Sequence, residues 1–160
     1  MSVAFTKEES AETAAETLLP ERPVSPHLNL VTEAGLKALE RQLEEARAAY
    51  TAVENIDDVN EKRRQTAGPL RDIRYLTERL RTAQLVPAPA SNDTVAFGSL
   101  VTFERDDGRV QTYRIVGEDE ADPKAGSISY VSPVARLLSG KAVGDVVNLN
   151  GQELEITKIA

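Results

Sequence analysis

The sequence predicts an α+β protein, with an N-terminal antiparallel helical hairpin (coiled coil) followed by a small antiparallel-sheet domain carrying one short helix. Three observations carry that reading. Apolar residues recur at alternating spacings of three and four through residues 36–53 and again through 73–83, as in amphipathic helices with narrow seams. From residue 100 the apolar period becomes two, as in half-buried strands. Between these regimes lies Val86-Pro87-Ala88-Pro89-Ala90-Ser91-Asn92, a linker by composition.

Residues 1–30 read as an acidic, Pro-containing tail. Ala and Glu dominate up to Glu16, and Pro20, Pro23 and Pro26 then oppose any helix. The stretch Glu8 to Leu19 supports at most a transient helix whose apolar face is mostly Ala, so disorder is expected. Residues 31–86 form the hairpin. Thr32 is placed to cap the first arm, whose seam is Leu36, Leu39, Leu43, Ala46, Tyr50 and Val53. The second seam is Ile73, Leu76, Leu80 and Ala83. Asn55-Ile56-Asp57-Asp58-Val59-Asn60 supplies turn formers between them. Gly68-Pro69 offers another point of reversal, since Pro interrupts helical hydrogen bonding. A turn at 57–60 is preferred because it makes the arms nearly equal. The arms differ in charge: residues 31–58 hold seven acids and three bases, residues 59–86 three acids and seven bases. Ion pairing across the hairpin would account for that.

After a linker at 87–92, residues 93–160 form the sheet domain. Leu100 to Glu104 and Val110 to Val116 are strands around Asp106-Asp107-Gly108, a hairpin signal. Ser127 to Val131 is a third strand. Ser132-Pro133 opens a short helix, Ser as N-cap and Pro in the first position, closed by Gly140. Val146 to Leu149 and Glu153 to Ile159 flank Asn150-Gly151, a two-residue turn signal.

Composition excludes several kinds of chemistry. The 160 residues contain no Cys and one His, His27, which removes disulfides, thiolate sites and a multi-His metal site. Aromatics are 4% of the chain with no Trp, too few for a large aromatic pocket. The net charge of −7 does not suit a general duplex-DNA coat, because phosphate binding needs a basic footprint. No apolar run approaches the roughly 20 residues that cross a bilayer, and no secretory leader opens the chain. A cytoplasmic protein without membrane contact is expected.

Several stretches then point to a family. They are Val95-Ala96-Phe97-Gly98-Ser99, Tyr113 through Asp122, Ile128 through Gly140, and Val143-Gly144-Asp145-Val146. In order and spacing these resemble the C-terminal domain of the GreA/GreB transcript-cleavage factors of bacteria. Leu30 through Leu36 is similar to the family's opening, and Arg74-Tyr75-Leu76-Thr77 with Arg79-Leu80 resembles the end of its second helix. The resemblance implies an FKBP-like C-terminal domain that grips RNA polymerase at the rim of its secondary channel. It also implies a coiled coil that enters the channel, with tip acids helping to hold the Mg²⁺ through which polymerase cleaves a backtracked transcript. The factor itself has no catalytic residues and no stable metal or cofactor; any Mg²⁺ is shared in the polymerase active site, where added carboxylate oxygens suit a hard cation. Nascent RNA and DNA are met only within the transcription complex, and a monomer is expected.

At the tip this chain departs from the family's D-L-S-E-N-A-E-Y: it reads I-D-D-V-N-E, so Asp57, Asp58 and Glu61 are tip acids by chemistry and position alone. Asp57 and Asp58 also suit a turn and a helix cap. The arms are about one heptad shorter than the family's, which shortens the reach by about 10 Å. Such a tip could dock without cleaving, and the factor would then occupy the channel. For polymerase binding the resemblance implies Val131, Ser132 and Pro133, with Val131 replacing the usual acid, and Arg136 and Lys141 are candidate rim contacts. Lys62, Arg63, Arg64 and Arg71 could meet RNA or phosphates. Two other classes compete: a peptidyl-prolyl isomerase, since the implied fold also hosts that activity, and a coiled-coil module that dimerises through the hairpin.

Overall fold

A computed structural model of the chain describes residues 19–160. The disorder expected of residues 1–18 lies outside the described residues. The described residues fall into two compact units: residues 19–24 with 39–81, and residues 25–38 with 82–160.

Most of the first unit is a hairpin of two helices consecutive in sequence. The helix α1 spans Glu33–Val53 and α2 spans Val59–Thr82. Reversal occurs between Val53 and Val59, the turn preferred from the sequence, and α2 continues through Gly68 and Pro69. Pro69 has no N–H to offer the Gln65 carbonyl, yet one lost bond is outweighed by the rest of a 24-residue helix. The seam residues Leu39, Leu43, Ala46 and Leu76 are buried, as the three-and-four spacing requires. Residues 19–24 form no helix or strand but are tied to α2. Arg22 Nη1 lies 3.1 Å from Asp72 Oδ1, its guanidinium stacks 3.8 Å from the Tyr75 ring centroid, and Glu21 Oε1 lies 2.7 Å from Arg74 Nη2.

The second unit is built on a five-stranded sheet. Its strands are β3 (Leu100–Arg105), β4 (Val110–Val116), β5 (Ser127–Ser129), β6 (Val146–Leu149) and β7 (Gln152–Ile159), in the order β5-β4-β3-β7-β6. Here β1 (Leu30–Val31) and β2 (Gln84–Leu85) form a separate parallel pair. The helix α3 covers Pro133–Leu138, and Pro123–Ala125 make one turn of 3₁₀ helix. The large sheet is mixed, which corrects the all-antiparallel expectation: β4 and β5 are parallel, Ile115 opposite Ile128. The cause is the connection 117–126, long enough to carry the chain back past β4 before it pairs. The third strand also stops at Ser129, because Tyr130–Ser132 turn into α3.

Period-two burial places Val101 and Phe103 of β3, Ile115 of β4 and Leu154 and Ile156 of β7 in one core, capped by Ala135 and Leu138 of α3. Val101, Phe103, Leu138, Leu154 and Ile156 are wholly or almost wholly buried, each worth about 1.5–3 kcal/mol in removed apolar surface. Between Thr102 and Phe103 the register against β7 shifts. That bulge explains why the next core residue after Ile156 is Ile159, three positions on rather than two. The β6–β7 turn has Asn150 at φ 52° and Gly151 at φ 85°, the two positive values a type I′ turn requires.

The segment 28–32 is fastened to this sheet unit. The Tyr130 hydroxyl donates to the Leu28 carbonyl, and the Thr32 hydroxyl donates to Glu120 Oε2 at 2.6 Å. Gly117 lies against Leu30 so closely that a Cβ would sit 2.2 Å from the Leu30 carbonyl oxygen. The Gln84 and Val86 amides donate to the Asn29 and Val31 carbonyls at 2.8 and 2.9 Å.

Candidate functional site

At the tip, Asp58 is the N-cap of α2. Its Oδ1 accepts the Glu61 N–H at 2.9 Å and its carbonyl accepts the Lys62 N–H at 2.9 Å, satisfying donors that a helix start leaves open. Glu61 Oε1 accepts from Gln65 Nε2 at 2.9 Å, and Oε2 lies 3.6 Å from Arg64 Nε. Asp57 is exposed and has no hydrogen bond or ion pair among the described residues. The three acids are neighbours in sequence, but they do not converge. Among the described residues, no group of three or more His, Cys, Asp or Glu side chains could hold a metal ion.

The proposed docking residues lie on one loop-to-helix junction. Ser132 Oγ accepts the Ala135 N–H at 3.3 Å, Pro133 is the first helical residue, and the Ser132 N–H donates to the Ser129 carbonyl at 2.9 Å. Val131 is half-buried and its N–H donates to Ser129 Oγ at 3.2 Å. Pro133 and Arg136 are exposed and share a helix face by their spacing of three. Lys141, also exposed, follows α3, where its carbonyl accepts the Val95 N–H at 2.8 Å. Main-chain bonds therefore hold the Val131–Pro133 loop in shape while leaving the Pro133 ring and the Arg136 and Lys141 heads in water.

The basic residues on α2 are less uniform. Arg63 is exposed with no ion pair among the described residues. Arg64 faces Glu61, and Lys62 is half-buried, its carbonyl accepting from the Thr66 hydroxyl at 2.7 Å. Arg71 Nε lies 3.8 Å from Asp72 Oδ1, buried and without a hydrogen-bond acceptor. Among the described residues none of these four pairs with an acid of α1.

Sequence reasoning missed the long-range contacts that fasten three places on the chain. Tyr130 adjoins the Val131–Pro133 loop and bonds Leu28, 102 residues away. Thr32 bonds Glu120, and Glu21 and Arg22 bind α2. Their local signals, a Tyr before Val-Ser-Pro and two charges in a Pro-rich stretch, do not name a distant partner.

The family model described as "Transcription elongation factor, GreA/GreB, C-term" matches residues 90–160. A transcription elongation factor GreA of Beijerinckia indica is 38% identical over 119 residues, 71% of this chain and 70% of that protein. A transcription elongation factor GreB of Haemophilus ducreyi is 36% identical over 137 residues, 76% of this chain and 84% of that protein. Among solved structures, GreA factor homolog 1 of Thermus thermophilus aligns at a TM-score of 0.39 and 25% identity, over 82% of this chain and 97% of that one. No helix among the described residues is long and apolar enough to cross a membrane.

Proposed function

The chain belongs to the GreA/GreB family of transcription elongation factors, and from there we propose that it binds bacterial RNA polymerase and regulates elongation by occupying the secondary channel without promoting transcript cleavage. Val131, Ser132, Pro133, Arg136 and Lys141 form the docking surface, and the hairpin enters the channel of the cytoplasmic enzyme. What carries the non-cleaving half is the state of the tip. The Asp58 carboxylate is committed to the α2 cap and Glu61 to Gln65 and Arg64. Releasing Asp58 to a cation would cost about 1 kcal/mol of helix capping, and only Asp57 would be free of such ties among the described residues. The shorter arms expected from the sequence resemblance, with a reach about 10 Å less, would work in the same direction.

A second reading, a factor that does stimulate cleavage, is favoured by the exposure of both Asp57 and Asp58 at the tip. The polymerase would supply the metal and the chemistry, and these carboxylates would add acceptor oxygens. Prolyl isomerase activity has poor support: Phe103 is wholly buried with Tyr113 stacked on it at 6.0 Å, and Phe97 meets Tyr130 edge-on at 5.7 Å. These rings pack against one another.

The experiment is a backtracked polymerase complex incubated with the protein in Mg²⁺, followed for RNA cleavage and for binding. Binding that weakens with Ser132→Ala/Pro133→Ala, without faster cleavage, is the expected result. Cleavage that disappears with Asp57→Asn/Asp58→Asn would establish the second reading, and absence of binding would sink both.

A further inference from the structure

We propose that the groove beside β2 takes a short extended peptide of a partner protein, with apolar residues followed by acidic ones. The peptide pairs with the free edge of β2 and sets a carboxylate against Arg114. All of the groove's lining belongs to the sheet unit, and none of it is among Val131, Ser132, Pro133, Arg136 and Lys141. The inference therefore does not rest on the polymerase reading.

The free edge follows from the strand register. The Gln84 and Val86 N–H groups both donate to β1, to the Asn29 and Val31 carbonyls. Main-chain groups alternate sides along a strand, so the N–H and C=O of Leu85, between those two residues, point away from β1. Neither has a hydrogen-bond partner among the described residues. Leu85 is also 54% exposed. An edge open in its main chain and in an apolar side chain is a template for another extended chain. Pro87 follows, and its missing N–H ends that template downstream.

The groove at this edge spans about 570 Å³, within the range of ligand sites. Ala34, Leu85, Val86, Pro87 and Ala88 make its lining largely apolar. No aromatic ring of the described residues lines it, which leaves a nucleobase without a stacking partner.

Two bases and two acids complete the lining, Lys37 and Arg114 with Glu33 and Glu120. Three of the four are committed. Lys37 Nζ lies 3.1 Å from Glu33 Oε1, and Glu120 Oε2 accepts from the Thr32 hydroxyl at 2.6 Å. Arg114 is exposed and donates from Nη1 to the Gly98 carbonyl at 2.8 Å, with no ion pair among the described residues. The uncompensated charge is therefore positive, and a guanidinium fork suits a carboxylate. Charge also selects among occupants. A second copy would bring the same unpaired Arg114 with it. A polynucleotide would meet Arg114 but leave the Leu85 edge and the apolar lining unused.

The probes are three acetylated, amidated hexapeptides, GXTXEE with X as Val, Leu or Phe, added up to millimolar concentration to nitrogen-15-labelled full-length protein. Amide shifts concentrated at Ala34, Leu85, Val86, Ala88 and Gly98 are expected, with slower exchange of the Leu85 N–H. Replacing both Glu of the peptide by Gln, or Arg114→Gln in the protein, should each weaken binding roughly tenfold. The two changes together should cost little more than either alone. Arg47→Gln makes the same charge change at an exposed site on α1 outside the lining and should leave affinity unchanged. A peptide N-methylated along its backbone keeps its side chains and should not bind. Failure of all three peptides to shift these amides overturns the proposal, as does equal affinity of the N-methylated form or an equal loss with Arg47→Gln. So does a short single-stranded RNA that shifts the same amides at lower concentration than any peptide. Shifts there that grow with protein concentration alone would place a second copy in the groove and overturn it too.

Discussion

The Tyr130 hydroxyl donates to the main-chain carbonyl of Leu28, joining residues 102 positions apart. The same ring meets Phe97 edge-on, and Val131-Ser132-Pro133 follow it directly. One side chain therefore fastens the segment just before β1 and stands at the base of the proposed docking loop. Tyr130→Phe keeps the ring packing and removes the donor. We expect a loss of about 0.5–1.5 kcal/mol in denaturant unfolding, together with weaker polymerase binding.

Gly117 tests the same junction from the other side. Gly117→Ala would place a methyl 2.2 Å from the Leu30 carbonyl oxygen, and backbone cannot yield as a flexible side chain does. The expected cost is about 1–3 kcal/mol. Hydrogen exchange should quicken at the Gln84 and Val86 amides, which donate to the neighbouring Asn29 and Val31 carbonyls.

At the tip, neighbouring aspartates should separate cleanly. Asp58→Ala removes the α2 cap and should lower hairpin stability by about 1 kcal/mol, read in thermal unfolding. Asp57→Ala, with no bond among the described residues, should leave stability within about 0.5 kcal/mol of the wild type. Equal effects would show that the cap is not held as described.

The β3–β4 turn carries a pH signature. The Arg109 main-chain N–H, 3.0 Å from Asp107 Oδ1, holds that carboxyl below its ordinary range, and the Arg109 guanidinium, 2.8 Å from Oδ2, adds to it. A folded-state value below the unfolded one means that the contribution is present above the unfolded value, about 3.9. It is lost as pH falls through the lower, folded one. Asp107→Asn should therefore flatten the acid limb of a stability–pH profile. Asp107 is exposed and the effect small, so the comparison should be made at low ionic strength.

How much of this was legible depends on the range over which each feature is decided. Val110–Val116 and Val146–Leu149 were readable to the residue because alternation and the flanking turn signals lie within the strands themselves. The Ser132 cap and Pro133 opening were readable for the same reason. The pairing of β5 was not: nothing in Ser127–Ser129 reveals that the preceding ten-residue excursion returns the chain parallel to β4. The β1–β2 pair joins Leu30 to Gln84, two residues too short a stretch on either side to announce itself. Among the site residues, positions on the chain were readable, but commitments were not. That Asp58 caps α2 while Asp57 does not is fixed by which residue immediately precedes the helix.

The β1–β2 pair closes the hairpin at its open end, with Leu30 against Gln84 and Val31 against Leu85. Everything from Thr32 to Ala83 is thus a loop whose two feet stand side by side. Removing or adding seven residues in each helix between those feet would preserve the seam's phase and leave the strand pair untouched. Length is therefore a dial that can be turned independently of the sheet, in steps of about 10 Å.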